Sequence, residues 1–411
     1  MTQTLIVTAA TMYDGQTPEL SEGVSIVLAD GLVQEIHTDG AKPTVSGRQL
    51  DAGDGTLIPG LIDAHVHIGA VEVDFGRQAG VHPSSLIAFM MARRLRHLLD
   101  RGYTTVRDCG GADWGFKQAV DQGLIPGPRI IISNRMLSQT GGHGDMRTRA
   151  QTEEHCDNHG QFGMVFSIAD GVSEVRRAVR EQVRMGADFV KVMASGGAAS
   201  PTDKLDRAQY SEEELRIIVE EAEMAGIYVA AHAIPAISIE RAVRAGARTI
   251  EHGNFLDDAT AELMARHGTY LVPTIATYVM ASRHPERYDD PPEVTAKVNA
   301  AAEAALRALE AAHRAGVVIG SGSDLLGEEI AWLNQEHHLK AEVLGAPAAV
   351  HAATGANAQV LGRDDIGVLA TGRCADLVAV ASNPLDDVAV LGDEAGVQLV
   401  IKDGDVHRND L

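Results

Sequence analysis

Between residues 56 and 324 the chain repeats one short pattern: an apolar run of strand length, a glycine-containing turn, then an amphipathic helical stretch. The runs are 56–64, 104–107, 129–133, 189–194, 228–231, 249–251, 269–275 and 317–320, eight in all. Parallel strands need long crossover connections, and helices supply them. Eight such units over roughly 270 residues predict an α/β fold, a closed (β/α)8 TIM barrel. The helical stretches carry their own end signals. Ser211 stands as an N-cap before Glu212, Glu213 and Glu214, and Ala225-Gly226 closes that segment. Residues 296–314, rich in Ala, Glu and Leu, read as another helix, with Gly316 after it.

The two ends of the chain read differently. Residues 1–56 hold alternating strands at 4–8, 23–28 and 32–37, with Asp30-Gly31 as a hairpin turn. Residues 365–411 resume that pattern at 375–380 and 397–404. Neither end has enough strands for its own core, so the two are expected to pair into one small β-sandwich domain, 1–56 plus 365–411, flanking a barrel of residues 57–364. The segment 141–164, rich in Gly, His and Asp, is expected to be a functional loop because structureless connections of that length usually are.

Charge and cysteine content narrow the range of partners. A formal charge of −22 argues against nucleic acid or an anionic membrane, since phosphates would be repelled. Cys109, Cys156 and Cys374 show no C-x-x-C spacing, and so sparse a set fits a reducing cytoplasm. No basic leader and no membrane-length apolar run is present in the sequence, so the expectation is a cytoplasmic protein acting on a small molecule.

His65-Val66-His67 ends the first run. Alternate strand residues share a face, so both imidazoles can reach one metal ion. Lys191, His232, His252 and Asp324 follow, each at the end of its own predicted strand, where barrel enzymes place their chemistry. If Val190 and Val192 pack on helices, Lys191 points inward, and a buried unpaired ammonium must neutralise or be modified. Carboxylation by CO2 would give a carbamate able to bridge two divalent cations about 3.5–4 Å apart. His232 and His252 would serve the second cation and Asp324 the first. A bridging hydroxide would be the nucleophile, Asp324 its general base, and His143 a donor to the carbonyl oxygen.

These residues resemble the amidohydrolase superfamily along essentially the whole chain. The stretch from Pro59 to His67 resembles its first-strand signature. Lys191 in Phe189-Val190-Lys191-Val192, His232 in Ala231-His232-Ala233, His252 in Glu251-His252-Gly253 and Asp324 in Gly320-Ser321-Gly322-Ser323-Asp324 continue it. The tail from Ile366 to Val378 resembles the family's returning β-segment. Met193-Ala194-Ser195-Gly196-Gly197 and Ser200-Pro201-Thr202-Asp203 resemble a binuclear subgroup of Xaa-Pro dipeptidase-like and imidazolonepropionase-related enzymes. The resemblance implies two Zn2+ ions, a carboxylated Lys191 and hydrolysis of a peptide-like or N-acyl amino acid amide. It also implies a homo-oligomer, because such barrels often pair.

Several carboxypeptidase-like members of that subgroup carry a Tyr where this chain has Ile234. The change leaves room for a carbamate, a lactone or a non-peptide amide without a free carboxylate. Deamination of an amino-heterocycle at a single metal is a further reading, against which Lys191 weighs. A non-catalytic scaffold is the third, and the complete ligand set weighs against it. Ile234, Tyr278 and Tyr228 are candidate substrate contacts, although four residues of strand place Tyr228 about 13 Å below the metals. His155, His159, His337 and His338 are expected to be solvated, and Cys109 to pack.

Overall fold

The computed structural model describes residues 4–411 except 75–77, 79, 152–162, 199, 201–202 and 289–290. Three hydrogen-bonded sheets and the helices between their strands make an α/β fold. Leu61–Val66, Tyr103–Asp108 and Arg129–Ile132 form a parallel three-stranded sheet. A six-stranded sheet runs Phe166–Ile168, Met136–Ser138, Phe189–Met193, Tyr228–Pro235, Thr249–Phe255, Tyr270–Val272. Backbone bonds join the two at both sides. Asp188 N–H donates to Ile132 O at 2.8 Å, Gly320 N–H to Leu271 O at 2.8 Å, and Ala64 N–H to Ser321 O at 2.8 Å.

Seven of the eight expected runs are strands. The eighth, 317–320, makes only an isolated parallel bridge from Ile319 to Leu271. The side chain of Asn357 takes over the ladder there, accepting from Ser321 N–H at 2.9 Å and donating to Ile62 O at 2.6 Å and Ser321 O at 2.8 Å. Between the runs 129–133 and 189–194 two short strands went unforeseen, Met136–Ser138 and Phe166–Ile168, which pair in parallel before and after the expected loop. Residues 152–162 of that loop, with Cys156, His155 and His159, lie outside the described residues.

The first run also divides. Thr56–Pro59 pairs with Leu377–Val380, and only after Gly60 does Leu61–Val66 pair with Tyr103–Asp108. A Cβ at Gly60 would lie 2.1 Å from Thr104 Oγ1, so the chain can pass from one sheet to the other at that point only without a side chain. The ends of the chain do fold together. Eight strands drawn from both form a single sheet in which Asp405–Asn409, Val397–Lys402, Leu377–Val380, Thr56–Pro59, Leu5–Tyr13, Leu20–Ala29 and Leu32–His37 are neighbours in that order. Arg48–Asp51 pairs alongside Leu5–Tyr13. This sheet has its own core, including Val7, Ile26, Leu57, Leu377, Leu399 and Ile401.

The parallel strands alternate as expected. Val190, Val192, Ile130, Ile132, Val229 and Ile250 join the large core shared with the helices, while Phe189, Ile131, Ala230 and Val272 form an inner cluster. The helix Glu212–Met224 is capped as read, with Ser211 Oγ accepting from Glu214 N–H and the Glu214 carboxylate accepting from Ser211 N–H. The helix read at 296–314 begins earlier, at Pro292, where a first-turn proline costs no hydrogen bond. Among the described residues no helix is long and apolar enough to cross a membrane.

Candidate active site

The side chains singled out from the sequence meet at the C-terminal ends of the parallel strands, and several of them reach the site by leaving the regular strand pattern. Ile62 and Ala64 belong to the inner cluster, which would send His65 outward. The pairing with Tyr103–Asp108 shifts register between Asp63 and Val66, and the phase reverses. After the shift Val66 and Ile68 join the helix-facing core, and His65 and His67 face inward. His252 follows Glu251, whose carboxylate already points inward. His252 reaches the site because its backbone is left-handed, at φ 72°, with Gly253 at 63°. Asp324 is left-handed as well, at φ 51°. Non-glycine residues seldom adopt this conformation, and functional sites hold many of those that do.

His65, His67 and Asp324 present ligand atoms within 4.8 Å of one another. Asp324 Oδ1 lies 3.4 Å from His67 Nε2 and 3.6 Å from His65 Nε2, and Oδ2 lies 3.7 Å from His252 Nδ1. The rings of His65 and His252 are 5.0 Å apart, and those of His252 and His232 4.5 Å. Lys191, 1 % exposed, lies on the inner face of its strand between Val190 and Val192, and its Nζ has no hydrogen-bond partner among the described residues. His65 Nε2 is likewise buried without one. His143 stacks on His232 with centroids 4.4 Å apart. All six expected ligands and His143 are therefore gathered in one place.

Burial holds His65, His232 and His252 well below the ordinary histidine pKa and brings His67 to about 3, so the rings are neutral and have lone pairs to offer. The same burial raises Asp324 to about 8. Asp63 is pushed up to about 6, again by burial, while its Oδ1 accepts from His65 N–H and Ser323 N–H and so ties two strand ends together.

The outer contacts were less legible. His65 Nδ1 lies 2.6 Å from Glu251 Oε2, and both side chains are fully buried. Arg107 clamps Glu251 with Nη2 at 2.7 and 2.8 Å from its two oxygens, and Thr249 Oγ1 donates to it as well. His67 Nδ1 meets Gly110 O at 2.8 Å, and His252 Nδ1 meets Thr274 Oγ1 at 2.7 Å. An arginine inside an apolar run and a glutamate on the inner face of another were the available signals, each calling for a buried partner.

Ile234 and Tyr278 pack with Ala198 and Ala301 beside the site, the Tyr278 ring lying edge-on 5.8 Å from His252. Tyr228 is not brought to this group. It sits four residues before His232, stacked on Phe189 at 5.4 Å with Arg248 over its ring. Cys109 packs, fully buried, in the inner cluster. His337, expected at the surface, is instead buried, its Nε2 2.9 Å from Tyr103 Oη, because its helix Gln335–Leu344 turns that face toward the core.

Residues 56–407 match the family model described as the amidohydrolase family. The ochratoxinase of Aspergillus niger is 32% identical over 93% of this chain and 82% of its own. A solved structure called an amidohydrolase is 44% identical and superposes with a TM-score of 0.94 over 99% of this chain and 100% of that one. A prolidase solved in complex with N-methylphosphonate-L-proline is 42% identical, with a TM-score of 0.95 over 99% and 100% of the two chains.

Proposed function

Because the chain belongs to the amidohydrolase family, we propose that this metal-dependent hydrolase cleaves the amide bond of a peptide-like or N-acyl amino acid substrate at a site for two divalent cations. The observation that carries the proposal is Lys191 Nζ, buried without a hydrogen-bond partner among the described residues, beside buried, neutral imidazoles. A buried ammonium in that setting is costly, whereas a carbamate formed on it with CO2 is an acidic oxygen ligand. The donor set fits the group. His65, His67 and Asp324 would hold one cation, His232 and His252 the other, and carboxylated Lys191 both. Imidazole and carboxylate ligands suit zinc.

When bound, the ions lower the pKa of water and polarise the amide carbonyl. The protein's own groups do the rest. Asp324 takes a proton from the attacking water at its carboxylate and delivers it to the leaving nitrogen as the C–N bond breaks, leaving a carboxylate product and an amine. Glu251 fixes His65 by its Nδ1–H, so that Nε2 is the atom left to bind. His143 brings a ring nitrogen to the substrate, and Ile234 and Tyr278 give the site an apolar wall.

Buried Ile234, surrounded by apolar neighbours, favours a second reading, an amide, carbamate or lactone without a free carboxylate. The same proposal takes the three- and six-stranded sheets as one (β/α)8 barrel. Support comes from the bonds Asp188 to Ile132, Gly320 to Leu271 and Ala64 to Ser321. The terminal strands become a small β-sandwich beside it, with the boundary near Gly60.

The test is amine release by zinc- and bicarbonate-loaded protein from dipeptides, N-acyl amino acids and aryl carbamates. Release from the first two, abolished in Lys191→Ala, is the expected result. Turnover of carbamates alone would select the second reading, and silence across the panel would reject both.

A further inference from the structure

Thr274 stands between the strand Tyr270–Val272 and the helix Ile275–Arg283, and it is fully buried. A threonine at the start of a helix usually turns its hydroxyl back to accept from the helix's own first N–H groups. Thr274 makes no such bond, and its Oγ1 lies 2.7 Å from His252 Nδ1 instead. Its backbone is left-handed, at φ 44°, a conformation that is costly for a β-branched residue and persists only where the surroundings fix it. The same helix carries Tyr278, whose ring is edge-on to His252.

The cap that Thr274 does not make comes from a distant helix. Glu336 Oε2 accepts from Ala276 N–H at 2.7 Å, across 60 residues of sequence. A carboxylate suits the place, because the unpaired N–H groups and the helix dipole both favour negative charge there. Glu336 lies in the helix Gln335–Leu344 and is 1 % exposed. One turn further on, the fully buried Lys340 donates to its Oε1. Lys340 Nζ is also 3.3 Å from Ser321 Oγ, on the segment that leads to Asp324. A buried ion pair seldom adds net stability, since desolvation offsets the attraction and apolar residues of like volume serve as well. This pair is joined to two of the strand ends that form the site.

We propose that Glu336 is a positioning residue: by capping the helix Ile275–Arg283 in place of Thr274, it leaves the Thr274 hydroxyl free to hold His252, with Lys340 as its counter-ion. Support passes from the helix Gln335–Leu344 through Ala276 N–H and the left-handed turn at Thr274 to the His252 ring. Without the cap, the Thr274 hydroxyl is drawn to the orphaned N–H groups, the turn relaxes, and His252 and Tyr278 both lose their footing. The consequence for zinc rests on the two-cation reading, in which His252 is a ligand, whereas the cap itself does not.

Two double variants separate the cap from the charge. The first, Glu336→Gln with Lys340→Met, keeps an acceptor for Ala276 N–H and leaves no unpaired charge. The second, Glu336→Leu with Lys340→Met, removes that acceptor as well. In metal-free protein, amide hydrogen exchange across residues 274–278 should quicken about tenfold in the second variant, as one lost hydrogen bond implies, and stay near the parental rate in the first. Competition with a chelator should then show one of the two zinc ions held about tenfold more weakly in the second variant, and parental binding in the first. In a Thr274→Val background the second pair of substitutions should weaken zinc no further, because the cap acts through that hydroxyl. Unchanged exchange or unchanged zinc affinity in the second variant would overturn the proposal, as would a zinc loss equally large in the first variant or in the Thr274→Val background. A parent protein that takes up no zinc yet shows the expected exchange would uphold the cap and fault the metal-site reading alone.

Discussion

At the scale of single residues, the site separates what binds from what holds the binder. The groups with lone pairs were legible because histidine, lysine and aspartate at successive strand ends form a pattern along the chain. Their holders were not, because Glu251, Arg107 and Thr274 become partners of the site only when distant strands come side by side. Glu251 is the clearest case. Its carboxylate faces His65 Nδ1 at 2.6 Å and Arg107 at 2.7 and 2.8 Å. Glu251→Gln keeps the shape and removes the charge, so zinc affinity should fall by roughly ten- to a hundredfold, as when other outer partners of metal-binding histidines are lost. Competition with a chelator measures this directly, and an unchanged affinity would mean that Glu251 serves only to neutralise Arg107.

At the scale of elements, periodicity located the strands but not their interruptions. The run 56–64 looks continuous because every residue in it is compatible with a buried strand, yet it serves two sheets and changes allegiance at Gly60. The cause is a contact with Thr104, some forty residues on, which a local reading does not contain. The reversed phase before His65 and the left-handed turn at His252 were hidden for the same reason, and both aim an imidazole inward. The eighth run was seen, but not that the side chain of Asn357 would stand in for part of its ladder. Gly60→Val would force a branched side chain into the space held by Thr104. It should destabilise the fold by about 1–3 kcal/mol, the usual range for overpacking. Denaturant unfolding checks this, and paired Thr104→Ala should recover part of the loss. A Gly60→Val protein as stable as the parent would show that the two sheets need no side-chain-free crossing there.

At the scale of the whole molecule, both ends of the chain and the parallel strands between them were readable, because each has a core of one hydrophobic period. Buried polar groups inside that mass set its response to acid. His337, far along the chain from the strand ends, is held by burial at a pKa of about 3, against an ordinary 6.5. Its folded value is depressed, so the unfolded chain takes up the proton first as pH falls. The contribution of His337 to stability is therefore full above about 6.5 and declines from there toward 3. His337→Gln should flatten part of that slope in metal-loaded protein, measured by denaturant unfolding at several pH values. An unchanged slope would mean that other groups carry the acid response. The central claim is a hydrolase that needs cations at the Lys191 cluster, and amine release followed during zinc titration of stripped, bicarbonate-supplied protein tests it most directly. Release from a dipeptide or N-acyl amino acid should rise from nothing, level off at two zinc ions per chain, and be absent throughout in Lys191→Ala. Full activity in the stripped protein, or release indifferent to Lys191, would contradict it.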